Sequence, residues 1–166
     1  MELWRRIDLE SDDEARRLLQ RACGSTRWVN RMLARRPFGG AQALLAAARD
    51  EWFVLSKADW LEAFSHHPKI GDTDSLRQRF AATHDLSGRE QAGVSGASEE
   101  TLARLADSNR RYDERFGYIF IVCATGLSAE EMLARLESRI DNDPDQEIRI
   151  AVEEQAKITA IRLGGA

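Results

Sequence analysis

Apolar positions along this chain recur mainly at helical spacing. Ser11 and Glu14 stand as a capping box ahead of "EARRLLQRA". There Ala15, Leu18, Leu19 and Ala22 share a face, and Gly24 ends it. A second helix is predicted through "TRWVNRMLARR", stopped by Pro37 and Gly39-Gly40. A third lies in "AQALLAAARDEW", with Leu44, Leu45, Ala48 and Trp52 on one side. "SKADWLEAFSHH" follows, its apolar face marked by Trp60, Leu61 and Phe64, and Pro68 closes it. From Gly71 to Gly96 the pattern is polar, and only loops with one or two short helices are expected. A long helix is predicted over residues 98–115, with Leu102, Leu105, Tyr112 and Phe116 on a stripe that also holds the polar Asn109. Ser128 and Glu131 read as another capping box before Met132, Leu133, Leu136 and Ile140. Pro144 is placed to open the last helix, which runs through Leu163. Only "YIFIVCAT" has strand propensity, and it lacks a pairing partner. It is expected as a protected extended segment or the buried start of a helix. The prediction is an all-α fold: a compact single-domain bundle of about six to nine helices over residues 1–166.

Composition alters this picture little. The 166 residues suffice for one domain with a sizeable core. A net charge of −4, from 24 basic and 28 acidic residues, argues against a nucleic-acid partner. The two cysteines, Cys23 and Cys123, form no paired-thiol motif, which points to a reducing, cytoplasmic setting. "MELWRRIDLE" lacks an apolar leader, and "YIFIVCATG" is too short to span a bilayer, so no membrane association is expected.

Candidate chemistry centres on "FSHHPKIGD". On a helix, His67 follows Phe64 and Trp60 inward, whereas His66 follows Glu62 on the polar side. His67 is therefore the candidate acid or base, although a histidine favoured by a helix C-terminus fits the same spacing. No ligand set for a metal accompanies the three histidines. In "LSGREQAGV", Ser87 and Glu90 have capping-box spacing, yet Glu90 could also orient a histidine and Gln91 could pair with an amide or ureido group. "GYIFIVCATG" reads as core, or as backbone free to meet a ligand. Cys123 has no base beside it and reads as a small core-like thiol. Arg162 shares a face with Ile148, Val152, Gln155 and Ile158. It can snorkel past the helix end or grip a carboxylate with its planar fork. Taken alone, these residues fit either an enzyme or a helical interaction module.

The motifs "HHPKIGD", "SGREQAG", "FGYIFIVCATG" and "KITAIRLG" together resemble the 2-oxo-4-hydroxy-4-carboxy-5-ureidoimidazoline (OHCU) decarboxylase family of urate degradation, in order and spacing over nearly the whole chain. The resemblance implies an all-helical, homodimeric enzyme without metal or organic cofactor. It implies conversion of OHCU to (S)-allantoin and carbon dioxide, downstream of hydroxyisourate hydrolase. By motif, it makes His67 and Glu90 the catalytic pair. It assigns Pro68, Ser87, Gln91, the segment Phe120, Ile121, Val122, Cys123 and Ala124, and Arg162 to substrate binding. His66 stands where the family often has a small residue, and Leu86 where it often has an aromatic one.

Overall fold

Nine helices are present among the described residues, and no strand. The computed structural model describes residues 1–68, 73–87 and 98–165, with the side chains of 81–87 left aside. The helices are α1 (Leu3–Leu9), α2 (Asp12–Ala22), α3 (Thr26–Ala34), α4 (Ala41–Phe53), α5 (Lys57–Ser65), α6 (Thr73–Ser87), α7 (Glu99–Phe116), α8 (Ala129–Arg139) and α9 (Pro144–Arg162). No helix among the described residues is long and apolar enough to cross a membrane. The contacts divide the chain into two units, residues 1–67 with 149–166 and residues 68–148.

Several of the predicted helices begin where a serine can accept from the open backbone amides of a first turn. Ser11, Ser98 and Ser128 accept the N–H groups of Glu14, Thr101 and Glu131. The carboxylate half of the first expected box is otherwise engaged: Glu14 binds Arg6 and Arg17. Two elements depart from the sequence pattern. Helix α1 was not anticipated, because it is one short stretch with no side-chain cap at its start. Its end is held from outside, by Arg36 donating to the carbonyls of Asp8 and Glu10. The Asp8 carboxylate in turn accepts the N–H groups of Phe38 and Gly39. The second departure is α6, a single helix of 15 residues where one or two short pieces were expected.

The first unit is built around tryptophans whose indole N–H groups are satisfied by backbone carbonyls. Trp28 donates to Ala48, Trp52 to Val152 and Trp60 to Trp52, at 2.9–3.0 Å. These bonds let large apolar rings be buried without stranding a polar atom. Trp52 also meets Trp60 and Phe64 with ring centroids 6.4 Å apart. The second unit packs α7 and α8 around Leu102, Leu105, Tyr112, Met132 and Leu136. Asn109, the polar member of the α7 stripe, is satisfied by donating to the carbonyl of Leu105 one turn back.

Residues 119–124 take no regular secondary structure and follow Gly117, whose φ of 81° ends α7 in the left-handed region. The segment is therefore not the start of a helix. Phe120 and Ile121 are buried. The Ile121 carbonyl, which has no strand to pair with, accepts from Arg139 Nη1 at 2.8 Å. The Arg139 guanidinium also lies 4.4 Å from the centre of the Phe120 ring.

Candidate active site

Helix α5 delivers the histidines. Its start is a full capping box that the sequence pattern did not reveal, because the third residue is an aspartate. Ser56 Oγ accepts the Asp59 N–H at 3.4 Å, while the Asp59 carboxylate accepts the Ser56 N–H at 3.2 Å. The helix ends at Ser65, so His67 lies beyond it rather than on it. The chain keeps turning through tight bonds from His66 N–H to Ala63 and from His67 N–H to Phe64, both 3.2 Å. That turn leaves His66 exposed and His67 half-buried, the asymmetry the helical spacing predicted. Pro68 follows and is exposed.

Four-residue spacing on the polar side also allows Glu62 to pair with His66, and the structure corrects that reading. Glu62 instead accepts the backbone N–H of Thr26 at 2.7 Å and its hydroxyl at 2.9 Å. It caps the N-terminus of α3, where a helix favours negative charge. His66 packs against backbone. A Cβ added to Gly24 would stand 2.5 Å from His66 Cγ and 2.7 Å from its Cβ. Gly24 thus allows the α2–α3 turn to approach the end of α5.

His67 Nε2 lies 2.5 Å from Oε1 of Gln155 on α9. Gln155 Nε2 donates to Thr159 Oγ1 at 3.0 Å, and Thr159 Oγ1 reaches the Ala22 carbonyl at 3.4 Å. Arg162 Nη1 donates to that same carbonyl, also at 3.4 Å. The sequence had placed Gln155 and Arg162 on one face without linking Gln155 to a histidine 88 residues away. Gln155 and Thr159, four residues apart and both buried, are the site residues it missed. Their signal was present, as two neutral polar side chains one turn apart on the face of α9 that also carries Val152.

Burial pushes the His67 imidazolium below the ordinary histidine range, and the charges of Arg162 and His66 push the same way. The Gln155 hydrogen bond opposes them without reversing the direction. His67 is therefore a neutral imidazole at neutral pH. Nearby Cys23 is buried, and its thiol is pushed up to about 11, chiefly by desolvation. It stays protonated and is not a nucleophile.

In the second unit, the segment assigned to substrate binding has Phe120 and Ile121 buried and Val122, Cys123 and Ala124 half-buried. It closes with a turn in which Leu127 N–H donates to the Ala124 carbonyl and Gly126 takes a φ of 77°. Arg139 holds the segment and is itself held by Glu147, whose Oε1 accepts from Arg139 Nε at 2.6 Å and from the Tyr112 hydroxyl at 2.8 Å. Asn142 donates to the other oxygen of Glu147 at 3.1 Å. Burial, with the Glu147 charge beside it, pushes the Tyr112 phenol well above its usual range, so it remains a donor.

Backbone places Ser87 in the last turn of α6, where its spacing to Glu90 had suggested a helix start. The Ser87 side chain, Glu90 and Gln91 lie outside the described residues. No group of three or more metal-ligating side chains occurs among the described residues.

Residues 9–164 match the family model described as OHCU decarboxylase. The chain is 38% identical over 142 residues to the uric acid degradation bifunctional protein TTL of Arabidopsis thaliana, covering 85% of this chain and 44% of that protein. It therefore spans less than half the length of that relative. It is 35% identical over 129 residues to the 2-oxo-4-hydroxy-4-carboxy-5-ureidoimidazoline decarboxylase of Amia calva, covering 77% of this chain and 73% of that one. Its fold matches the crystal structure of an OHCU decarboxylase in the presence of (S)-allantoin with a TM-score of 0.73 and 36% identity, over 93% of this chain and 96% of that chain. By sequence and by fold, the chain belongs to the OHCU decarboxylase family.

Proposed function

We propose that this chain decarboxylates OHCU to (S)-allantoin and carbon dioxide, with His67 as the acid–base group and no cofactor. The observation that carries the reading is His67 itself: a half-buried imidazole, neutral at neutral pH and fixed at one nitrogen by Gln155, in a chain of this family. Such a group can take and return a proton near neutral pH.

The chemistry follows from the substrate. The carbon that loses carbon dioxide carries a hydroxyl and adjoins the carbon bearing the ureido group. When the carboxylate leaves, its electron pair enters the neighbouring ring C=N bond, and the ring nitrogen takes up one proton. The hydroxyl then loses its proton to become the ring carbonyl, while the ureido carbon gains one. A single base that accepts the hydroxyl proton and returns it to one face of the ureido carbon accounts for the (S) product, while water supplies the proton taken up by the ring nitrogen. His67 fills that role. Glu90 orients it or contacts the hydroxyl or ureido group, while Ser87 and Gln91 read polar edges. Pro68 and the segment Phe120–Ala124 bind the ring. Arg162 holds a part of the substrate other than the departing carboxylate, because a clamp on that carboxylate would oppose its release.

The chain acts as a cytoplasmic homodimer, next in sequence to hydroxyisourate hydrolase. Membership alongside a bifunctional uric acid degradation protein supports the link to a second urate-pathway activity. The test is to add the protein to freshly generated OHCU and follow optical rotation. Rapid formation of (S)-allantoin is expected. Racemic product at the spontaneous rate would overturn the proposal.

A further inference from the structure

We infer that Gln155 and Thr159 are a positioning pair that fixes neutral His67 as the Nε2–H tautomer, leaving Nδ1 as the nitrogen that exchanges protons with the substrate. This rests on the reading of His67 as the acid–base group.

The argument runs from the fixed end of the hydrogen-bond chain. The Ala22 carbonyl lies in the last turn of α2, where carbonyls have no partner within the helix. Ala22 is buried, so a side chain must satisfy that oxygen. The carbonyl can only accept. Thr159 has one hydroxyl proton, and directing it to Ala22 leaves its oxygen lone pairs for incoming donors, the Gln155 NH₂ and the neighbouring protonated Cys23 thiol. Gln155 therefore turns its NH₂ toward Thr159 and its carbonyl oxygen toward His67. A carbonyl oxygen facing Nε2 at 2.5 Å requires a proton on Nε2. The neutral ring then carries its lone pair on Nδ1.

Reversing the Gln155 amide would reverse every bond. Thr159 would spend its proton on Gln155, and the Ala22 carbonyl would keep only the 3.4 Å contact from Arg162. Gln155 and Thr159 are 1% and 5% exposed, so water does not readily replace a bond lost along this chain. The tautomer is thus set by the end of a helix that carries no catalytic group. Histidines that bind metals or serve catalytic triads are held by the same logic, with one nitrogen occupied to define the other.

The experiment is ¹⁵N NMR of the imidazole nitrogens in the full chain, with the His67 signals identified by their loss in His67→Asn. At a pH where the ring is neutral, the Nε2–H pattern is expected. Thr159→Val removes the hydroxyl at nearly constant volume and frees the Gln155 amide to turn. Mixed tautomers and a kcat lower by about tenfold are expected, the worth of one hydrogen bond. Thr159→Ser should restore both. A dominant Nδ1–H pattern in the unaltered protein overturns the inference, as does a tautomer unchanged in Thr159→Val. If Thr159→Val fails to fold, the spectrum of the unaltered protein decides alone. The Nδ1–H pattern with His67→Asn inactive removes only the role of the pair. Turnover that survives His67→Asn removes the acid–base reading beneath it.

Discussion

His67 is held below its ordinary titration range mainly by burial, with Arg162 and His66 adding repulsion. Catalysis by its neutral form has a definite pH signature. kcat/KM should be level near neutrality and fall on the acid side, at a pH below the usual 6.5 of histidine. An acid limb above that value would contradict the assignment. Stability carries the same sign. The folded pKa is depressed, so the unfolded chain binds more protons, and stability rises with pH. The contribution is fully present above the unfolded pKa and is lost as pH falls toward and through the folded one. Denaturant titrations of His67→Asn should therefore show a weaker acid loss than the unaltered protein. The same variant should lower kcat by roughly 10²–10⁴-fold, the usual range for a lost acid–base group. His66→Ala should do far less, because His66 is exposed and Glu62 is committed to Thr26.

Single elements decide whether His67 reaches its position. The end of α5 rests on Gly24 with no room for a side chain. Gly24→Ala should push His66 away and displace the turn that holds His67, costing about 1–3 kcal/mol of stability, as overpacking does. It should also lower kcat. Because the clash includes His66 Cβ, His66→Gly should restore much of both losses when combined with Gly24→Ala. Additive losses in the double variant, measured by denaturation and turnover, would count against this contact. Helix starts were readable in the sequence where serine caps act locally, as at Ser11 and Ser128. Helix α1 was not, since its end is satisfied by Arg36, remote in sequence. Inward-facing His67 was legible, but its partner was not. Among the described residues, four of the seven buried polar or charged ones, Glu147, Glu154, Gln155 and Thr159, lie on α9. Polar groups on the inward face blur the apolar stripe that marks a helix side. The pattern therefore grouped Ile148, Val152, Gln155, Ile158 and Arg162 on one face, of which Val152 and Gln155 are buried and the other three are not.

At the scale of the whole chain, α9 runs through the division between the two units: Glu147 falls in one, and Val152 and Gln155 in the other. Its first turns carry the buried ion pair of the second unit, with Glu147 wholly buried and the Arg139 side chain 9% exposed. Further along, Val152 accepts from Trp52 and Gln155 meets His67 in the first unit. A buried pair of this kind tolerates poorly the loss of one member, because the other charge is left in low dielectric. Glu147→Gln keeps the shape and removes the charge facing Arg139. It should destabilise by about 3–5 kcal/mol. For a chain of this size that lowers Tm by roughly 10 °C. The expected single domain adds a stricter requirement. Unfolding of the second unit frees the first turns of α9, and the helix that holds Trp52 and His67 then loses its start. Calorimetry should show one transition, with calorimetric and van't Hoff enthalpies equal, in both the unaltered protein and Glu147→Gln. Loss of the His67–Gln155 NMR signature on heating should coincide with it. Two resolved transitions, with Glu147→Gln shifting only one of them, would overturn the single-domain reading and make the units separate folding bodies.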